Sequence, residues 1–229
     1  AAAHTSREDN VWAALGQAPL ARAAGHLAEL ADRVGSASTA TDLQTQVAWY
    51  SDEGHVIDDL ALRTIATAKT AQDRSAVAHA LGAIYDPWVD QSARVFQKAA
   101  VGAYRGETGL DVAAGTCVVY VDALRYDLAA RVARRLSGLA AVVEPRQAAF
   151  PSVTPTGQPA VAPIEISMAG GAAFDAADDQ GRSVKGAVLR SAFASAGVQF
   201  LDWDTALVGD PAGTAWTQTN MIDSLGHSH

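Results

Sequence analysis

Cysteine is almost absent from this chain of 229 residues, which has a single thiol at Cys117. One cysteine can form no disulfide within the chain and cannot build a metal site from thiolates alone. Cys117 stands in the β-branched and aromatic run of residues 116–121, where a free cysteine behaves as a small apolar side chain. We therefore expect Cys117 to be buried in a core.

Long apolar runs are also absent. The longest, residues 117–121 and 139–143, are far shorter than the ~20 residues that a membrane-spanning helix needs. The chain does not open with a basic segment followed by an apolar one, as a secretory signal does. These absences predict a soluble, cytoplasmic protein with no membrane partner.

Basic residues are fewer than acidic ones, since 17 Lys and Arg against 25 Asp and Glu leave a formal charge of -8. This balance opposes non-specific attraction to nucleic acid, which depends on Lys and Arg neutralising phosphates. Any nucleic-acid contact therefore requires a local basic patch or a bound metal. Apolar residues make up 49% and charged residues 18% of the chain, a composition typical of a globular core.

The spacing of apolar residues divides the chain into two parts. From Asn10 to about Tyr104 apolar side chains recur at helical steps, which predicts a helical bundle or cap over residues 1–106. Beyond Gly106, β-rich runs at 116–121, 141–143 and 198–201 alternate with helical runs at 124–136 and 184–196, where Gly197 ends the second helix. This alternation predicts an α/β fold with a mainly parallel sheet over residues 107–229.

In such sheets ligands bind outside the carboxyl ends of the strands, which makes Asp122 and Thr154 the candidates. Asp122 ends the apolar strand at 117–121 and precedes a helix, so it could instead act only as a helix cap, worth ~1 kcal/mol. Thr154 lies among the prolines, hydroxyl residues and glycine of segment 150–163, which could equally be a plain loop.

Two segments resemble the paired signature of the PglZ family, which belongs to the alkaline phosphatase superfamily. They are Val-Asp-Ala-Leu-Arg-Tyr-Asp at 121–127 and Pro-Ser-Val-Thr-Pro-Thr-Gly at 151–157. The resemblance implies an alkaline-phosphatase-like core in which Asp122 binds a metal and Thr154 is the nucleophile and also a metal ligand. The upstream residues also resemble the helical region that precedes PglZ domains, through Trp49-Tyr50, Ile57-Asp58 and Arg63.

A third element, Asp223-x-x-x-His227, resembles the motif by which superfamily members hold their second metal. An Asp and a His four residues apart share one side of a helix, and a carboxylate with an imidazole suits zinc. The superfamily supplies a further Asp-His pair and another His downstream, whereas only Ser228 and His229 follow here. We expect the C-terminal part of the domain to be missing and this fragment to be nearly inactive, with His229 a less favoured substitute ligand.

The resemblance implies a metal-dependent phosphoesterase with a threonine nucleophile and two divalent ions, for which we expect zinc. PglZ proteins belong to bacterial phage-defence systems of the BREX and phage growth limitation type. The expected substrate is thus a nucleic-acid phosphodiester, with other defence proteins as partners. The alternatives are a catalytically silent scaffold of a defence complex, and a phosphomonoesterase or phosphomutase acting on a small metabolite.

Overall fold

The computed structural model describes residues 10–35, 40–103, 109–136, 138–164, 169–170, 176–178, 180–205 and 208–228. It contains both helices and a small parallel sheet, and it divides into two compact units. The helical unit takes in residues up to 103 together with Arg125–Pro145. The sheet unit takes in residues 109–124 and those from 146 onward.

The helical unit follows the predicted helical spacing. Its helices are α1 (Val11–Ala14), α2 (Pro19–Val34), α3 (Leu43–Trp49), a π-helical turn (Tyr50–Gly54), α4 (His55–Thr67), α5 (Ala71–Ile84), α6 (Asp86–Ala100) and α7 (Tyr126–Arg135). Local signals set several of their starts. Pro19 opens α2, where its missing N–H costs nothing, and the Thr70 hydroxyl accepts from Asp73 N at the start of α5.

The core of the helical unit is formed by one apolar face from each of α2, α4, α5 and α6. Its buried members include Leu30, Ile57, Leu60, Val77 and Trp88. These residues recur at three- to four-residue steps, so the apolar spacing of the sequence is what brings the helices together.

A buried carboxylate, Asp58, ties several helices of this unit together. It accepts hydrogen bonds from the hydroxyls of Tyr50 and Tyr85, each at 2.5 Å, and lies 3.3 Å from the Arg125 guanidinium. Arg125 also donates to the fully buried Asp127 at 3.0 Å. The Arg-Tyr-Asp half of the signature at 121–127 is therefore engaged within the helical unit.

The predicted division at 106/107 falls within residues 104–108, which lie outside the described part of the chain. Contacts group Arg125–Pro145 with the helical unit, although the sequence pattern assigned this segment to the α/β part. The helix predicted at 124–136 is confirmed as α7. The strand predicted at 141–143 is wrong, because these residues are exposed and form no ladder.

The sheet unit contains β1 (Cys117–Val121), β4 (Gln199–Phe200) and β5 (Ala215–Thr219), which are parallel in the order β1-β5-β4. Its other elements are α8 (Thr154–Ala160), the antiparallel pair β2 (Ala169–Gly170) and β3 (Ala176–Ala177), α9 (Ala187–Ser195) and α10 (Met221–His227). The predicted helix and strand around Gly197 are confirmed, since Gly197 lies between α9 and β4 at φ +72°. Glycine adopts this left-handed conformation without strain and ends the helix.

One face of the sheet packs into the core of this unit. Val118 and Tyr120 of β1 point toward Trp216, which is fully buried, and toward Phe193 of α9. Successive residues of a strand point to opposite faces, so Cys117 lies on the other face, where it is exposed. The expectation that Cys117 is buried is therefore wrong.

In the part of the chain that the structure describes, no helix is both long enough and apolar enough to cross a membrane.

Candidate active site at the carboxyl edge of the sheet

Asp122 lies immediately after β1, at the edge of the sheet where β1 and β5 both end. The register pairs Val121 with Thr219, and the Asp122 N–H donates to the Thr219 carbonyl at 2.9 Å. The next residue, Ala123, has φ +60° and donates its N–H to Asp122 Oδ1 at 3.0 Å. A left-handed alanine costs ~1 kcal/mol or more, and such strain is concentrated at functional sites.

Thr154 meets Asp122 at this edge, as predicted. Thr154 is the first residue of α8, and its hydroxyl lies 3.2 Å from Asp122 Oδ1 and 3.1 Å from Oδ2. The single hydroxyl hydrogen is thus shared between the two carboxylate oxygens. Thr156 holds the preceding loop, since its hydroxyl donates to the carbonyls of Pro151 and Val153. Segment 150–163, for which a plain loop was the alternative, therefore contains a short helix that presents Thr154.

Tyr120 is a residue of this site that the sequence reasoning missed. Its hydroxyl donates to Asp122 Oδ1 at 3.4 Å, and its ring stacks on Trp216 at 5.7 Å between centroids. Burial raises the pKa of Tyr120 to about 12, and the charges of Asp122 and Asp223 add to the rise. Tyr120 therefore stays protonated near neutral pH and remains a donor. The alternation along β1 was the available signal, because positions 120 and 122 share one face.

Asp223 and His227 lie on α10, the helix that follows β5. The segment is helical, the condition under which residues four apart share one side, and His227 Nε2 lies 3.5 Å from Asp223 Oδ1. The charge of Asp223 makes a smaller contribution to the raised pKa of Tyr120 than burial and Asp122 do. The His227 side chain is 82% exposed and Asp223 is 34% exposed, so the pair faces solvent. His229 lies outside the described residues.

Two glutamines connect α8 to the sheet. The Gln158 side-chain amide donates to Gln218 Oε1, which also accepts from the Trp216 indole N–H at 3.2 Å. Gln158 is buried and stands one turn after Thr154, so this contact fixes the position of α8. The sequence reasoning missed both glutamines, because it did not recognise β5 as a strand.

The chemical nature of the donors fits a divalent cation, whereas their number falls short of a complete site. Asp122 Oδ1 already accepts from Ala123, Tyr120 and Thr154, which leaves Oδ2 as the less engaged oxygen. A protein zinc site uses at least three protein ligands. Within the described ranges, no three His, Cys, Asp or Glu side chains come together as a metal-binding group. If Asp122 with Thr154 held one ion and Asp223 with His227 another, each ion would have only two of these ligands.

Comparisons of the chain with protein-family models, with curated proteins and with solved structures give no match in any of the three.

Proposed function

We propose that the sheet unit belongs to a metal-dependent phosphoesterase with an alkaline-phosphatase-like core, similar to PglZ domains, in which Thr154 is the nucleophile. The observation that carries this proposal is the Thr154 hydroxyl, which is hydrogen-bonded to both oxygens of Asp122 at the carboxyl edge of a parallel sheet. Thr154 is exposed, so a substrate could reach it. The two residues are 32 positions apart in the sequence and are joined by this hydrogen bond.

The charge of the site supports a need for cations. Asp122 accepts from the Tyr120 hydroxyl, the charges of Asp122 and Asp223 both raise the pKa of Tyr120, and carboxylates repel a phosphate ester. Divalent ions, for which zinc is the first choice, would neutralise these carboxylates, lower the pKa of the Thr154 hydroxyl and stabilise the leaving oxygen. Asp122 and Thr154 would hold one ion, and Asp223 and His227 the other. The remaining ligands would come from residues other than those described.

In this proposal the residues of the chain position Thr154 as the nucleophile. Asp122 accepts the Thr154 hydroxyl hydrogen and so turns the oxygen lone pairs away from the carboxylate. As Thr154 Oγ1 forms a bond to phosphorus, its proton passes to the Asp122 carboxylate, and the bond from phosphorus to the leaving oxygen breaks so that this oxygen departs with the electron pair. An unassisted threonine hydroxyl is a poor nucleophile at neutral pH, so Thr154 without a cation is expected to be inert.

For the substrate we propose a nucleic-acid phosphodiester met in the cytoplasm during phage defence, with other defence proteins as partners. The resemblance of segments 121–127 and 151–157 to the PglZ signature supports this choice. A catalytically silent scaffold is the second candidate, because the described residues offer each ion only two ligands. Hydrolysis of a small phosphate monoester is the third candidate.

A covalent adduct on Thr154 tests these candidates against each other. The chain is incubated with millimolar Zn²⁺ or Mn²⁺ and bis(p-nitrophenyl) phosphate, and the peptide that contains Thr154 is weighed by mass spectrometry. Because each ion would have only two ligands in this chain, we expect a slowly formed, substoichiometric p-nitrophenyl phosphoryl adduct on Thr154 that is lost in Thr154→Val. The matched control is Ser152→Ala, which removes an exposed hydroxyl from the same loop and should leave the adduct unchanged.

The other outcomes decide for the rivals. Faster reaction with p-nitrophenyl phosphate than with the diester favours the monoesterase. No adduct with either metal and either ester favours the scaffold. An adduct that persists in Thr154→Val contradicts the assignment of the nucleophile.

A further inference from the structure

The helical unit contains a cleft of about 650 Å³ that is separate from the Thr154 site. It is bounded by the turn after α1, the first turn of α2 and the last turn of α4, through Gly16, Pro19 and Thr67. Pockets for small molecules typically measure ~300–1,000 Å³, so the cleft has the size of a ligand site.

The lining of this cleft is cationic. It includes Arg22, Arg63 and Lys69, and no Asp or Glu is among the described residues that line it. The chain as a whole carries a formal charge of -8, so this concentration of positive charge runs against the composition of the protein. Cations lining a concave surface attract anions more strongly than the same charges spread over an open face.

Two of the cations are held in place by hydrogen bonds. Lys69 Nζ donates to the Gly16 carbonyl at 2.9 Å, which leaves two of its three N–H groups for a ligand. Arg63 Nη2 lies 3.1 Å from His26 Nε2, and because a guanidinium can only donate, His26 accepts there as a neutral imidazole. Arg63 has five N–H groups and His26 accepts from one of them, so other N–H groups of Arg63 can donate to a ligand.

The start of α2 adds to this positive field. Ala18, the residue before the helix, provides no side-chain cap, and Pro19 occupies the first turn. Both residues line the cleft, so the positive end of the dipole of this helix faces it. Apolar surface from Ala13 and Ala66 lies in the same cleft and suits the uncharged part of an organic ligand.

The geometry points to a binding site for a small organic phosphate of nucleotide size in this cleft. Several N–H donors from Arg22, Arg63 and Lys69 can share the oxygens of one or two phosphoryl groups, and arginine is especially suited to phosphate. Among the described residues that line the cleft there is no Phe, Tyr or Trp, so the phosphate part provides most of the affinity and the organic part little selectivity. This site is independent of the proposed phosphoesterase function.

Isothermal titration of the chain with ADP, pyrophosphate and adenosine tests this site. EDTA removes any metal from Asp122, so the result does not depend on the phosphoesterase proposal, and low ionic strength limits the screening of the cationic cleft. We expect ADP and pyrophosphate to bind and adenosine not to bind. The double variant Arg22→Gln/Lys69→Gln should weaken ADP binding by about 100-fold, since each lost charged contact costs about tenfold.

A matched double variant, Arg94→Gln/Lys98→Gln, removes the same charge from exposed positions on α6 and should leave ADP binding unchanged. Equal weakening by both double variants would reduce the effect to net charge and overturn the site. Adenosine binding as tightly as ADP would also overturn it. A 12-nucleotide single-stranded DNA that binds while ADP does not would contradict the assignment to a small ligand.

Discussion

Replacing Asp58 by alanine should remove most of the stability of the helical unit. Asp58 is 8% exposed and accepts hydrogen bonds from two tyrosine hydroxyls at 2.5 Å. A hydrogen bond to a charged group is worth ~1.5–3 kcal/mol, and alanine leaves both hydroxyls without this acceptor. Arg125 is 47% exposed and its ion pair adds at most ~1 kcal/mol. We expect a loss of about 4 kcal/mol in the free energy of unfolding.

Urea unfolding followed by far-ultraviolet circular dichroism measures this loss, and hydrogen exchange of the α4 amides assigns it to the helical unit. The matched control is Asp90→Ala, which removes a carboxylate of an exposed pair with Arg94 and should cost about 0.5 kcal/mol. Asp58→Asn keeps one carbonyl acceptor and should lie between the two. Equal effects of Asp58→Ala and Asp90→Ala would refute the role of the buried carboxylate.

The remaining predictions concern the tyrosines and two glycines. Burial raises the pKa of Tyr50 and of Tyr85 above the ordinary value of 10.0. The hydrogen bond that each donates to Asp58, and the negative charge of Asp58, raise it further. As the pH rises, the unfolded chain therefore loses these tyrosine protons before the folded chain does. Urea melts should show a lower free energy of unfolding at about pH 11 than at about pH 9, and Tyr50→Phe/Tyr85→Phe should reduce that difference. Gly54→Ala should destabilise by about 1–3 kcal/mol, because its Cβ would lie 2.7 Å from the Tyr50 ring. Gly82→Ala should stabilise the protein by about 0.5–1 kcal/mol, because its Cβ would lie 3.5 Å from the nearest atom. Thermal melts in which both alanine variants shift the melting temperature in the same direction would contradict this reasoning. Tyr120→Phe should weaken metal binding at Asp122 by about tenfold in a metal titration, and an unchanged affinity would show that its hydrogen bond does not orient the carboxylate.

The sequence predicted those parts of the sheet unit in which local pattern and tertiary position agree. Asp122 follows the apolar run of β1, and because ligands bind at the carboxyl ends of parallel strands, Asp122 could be predicted as a site residue. The approach of Thr154 to Asp122 followed from the resemblance of two segments, since nothing in the spacing of residues 122 and 154 shows that they meet. The helical spacing of Asp223 and His227 needed only the local pattern.

Other parts depended on information that local pattern does not carry. The central strand β5 reads Ala-Trp-Thr-Gln-Thr, without the apolar run that marks a buried parallel strand, yet Trp216 and Thr217 are fully buried. Cys117 is exposed because only one face of β1 is covered by the core of its unit, which composition cannot reveal. The grouping of α7 with the helical unit follows from Arg131 pairing with Asp59 and Arg125 with Asp58, pairs separated by more than 60 positions.

The central claim is that Asp122 and Thr154 form a cation-binding edge, and Mn²⁺-induced broadening of backbone amide signals tests it most directly. Mn²⁺ prefers oxygen ligands and broadens nearby signals even when it binds weakly. The account predicts selective broadening at Ala123 and Thr154 that is lost in Asp122→Asn, which keeps an acceptor for the Ala123 N–H. The same broadening should persist in Asp111→Asn, where the replaced carboxylate is exposed on the same unit. Broadening that is absent at Ala123 and Thr154, or that is equal in Asp122→Asn and the unchanged chain, would contradict the claim.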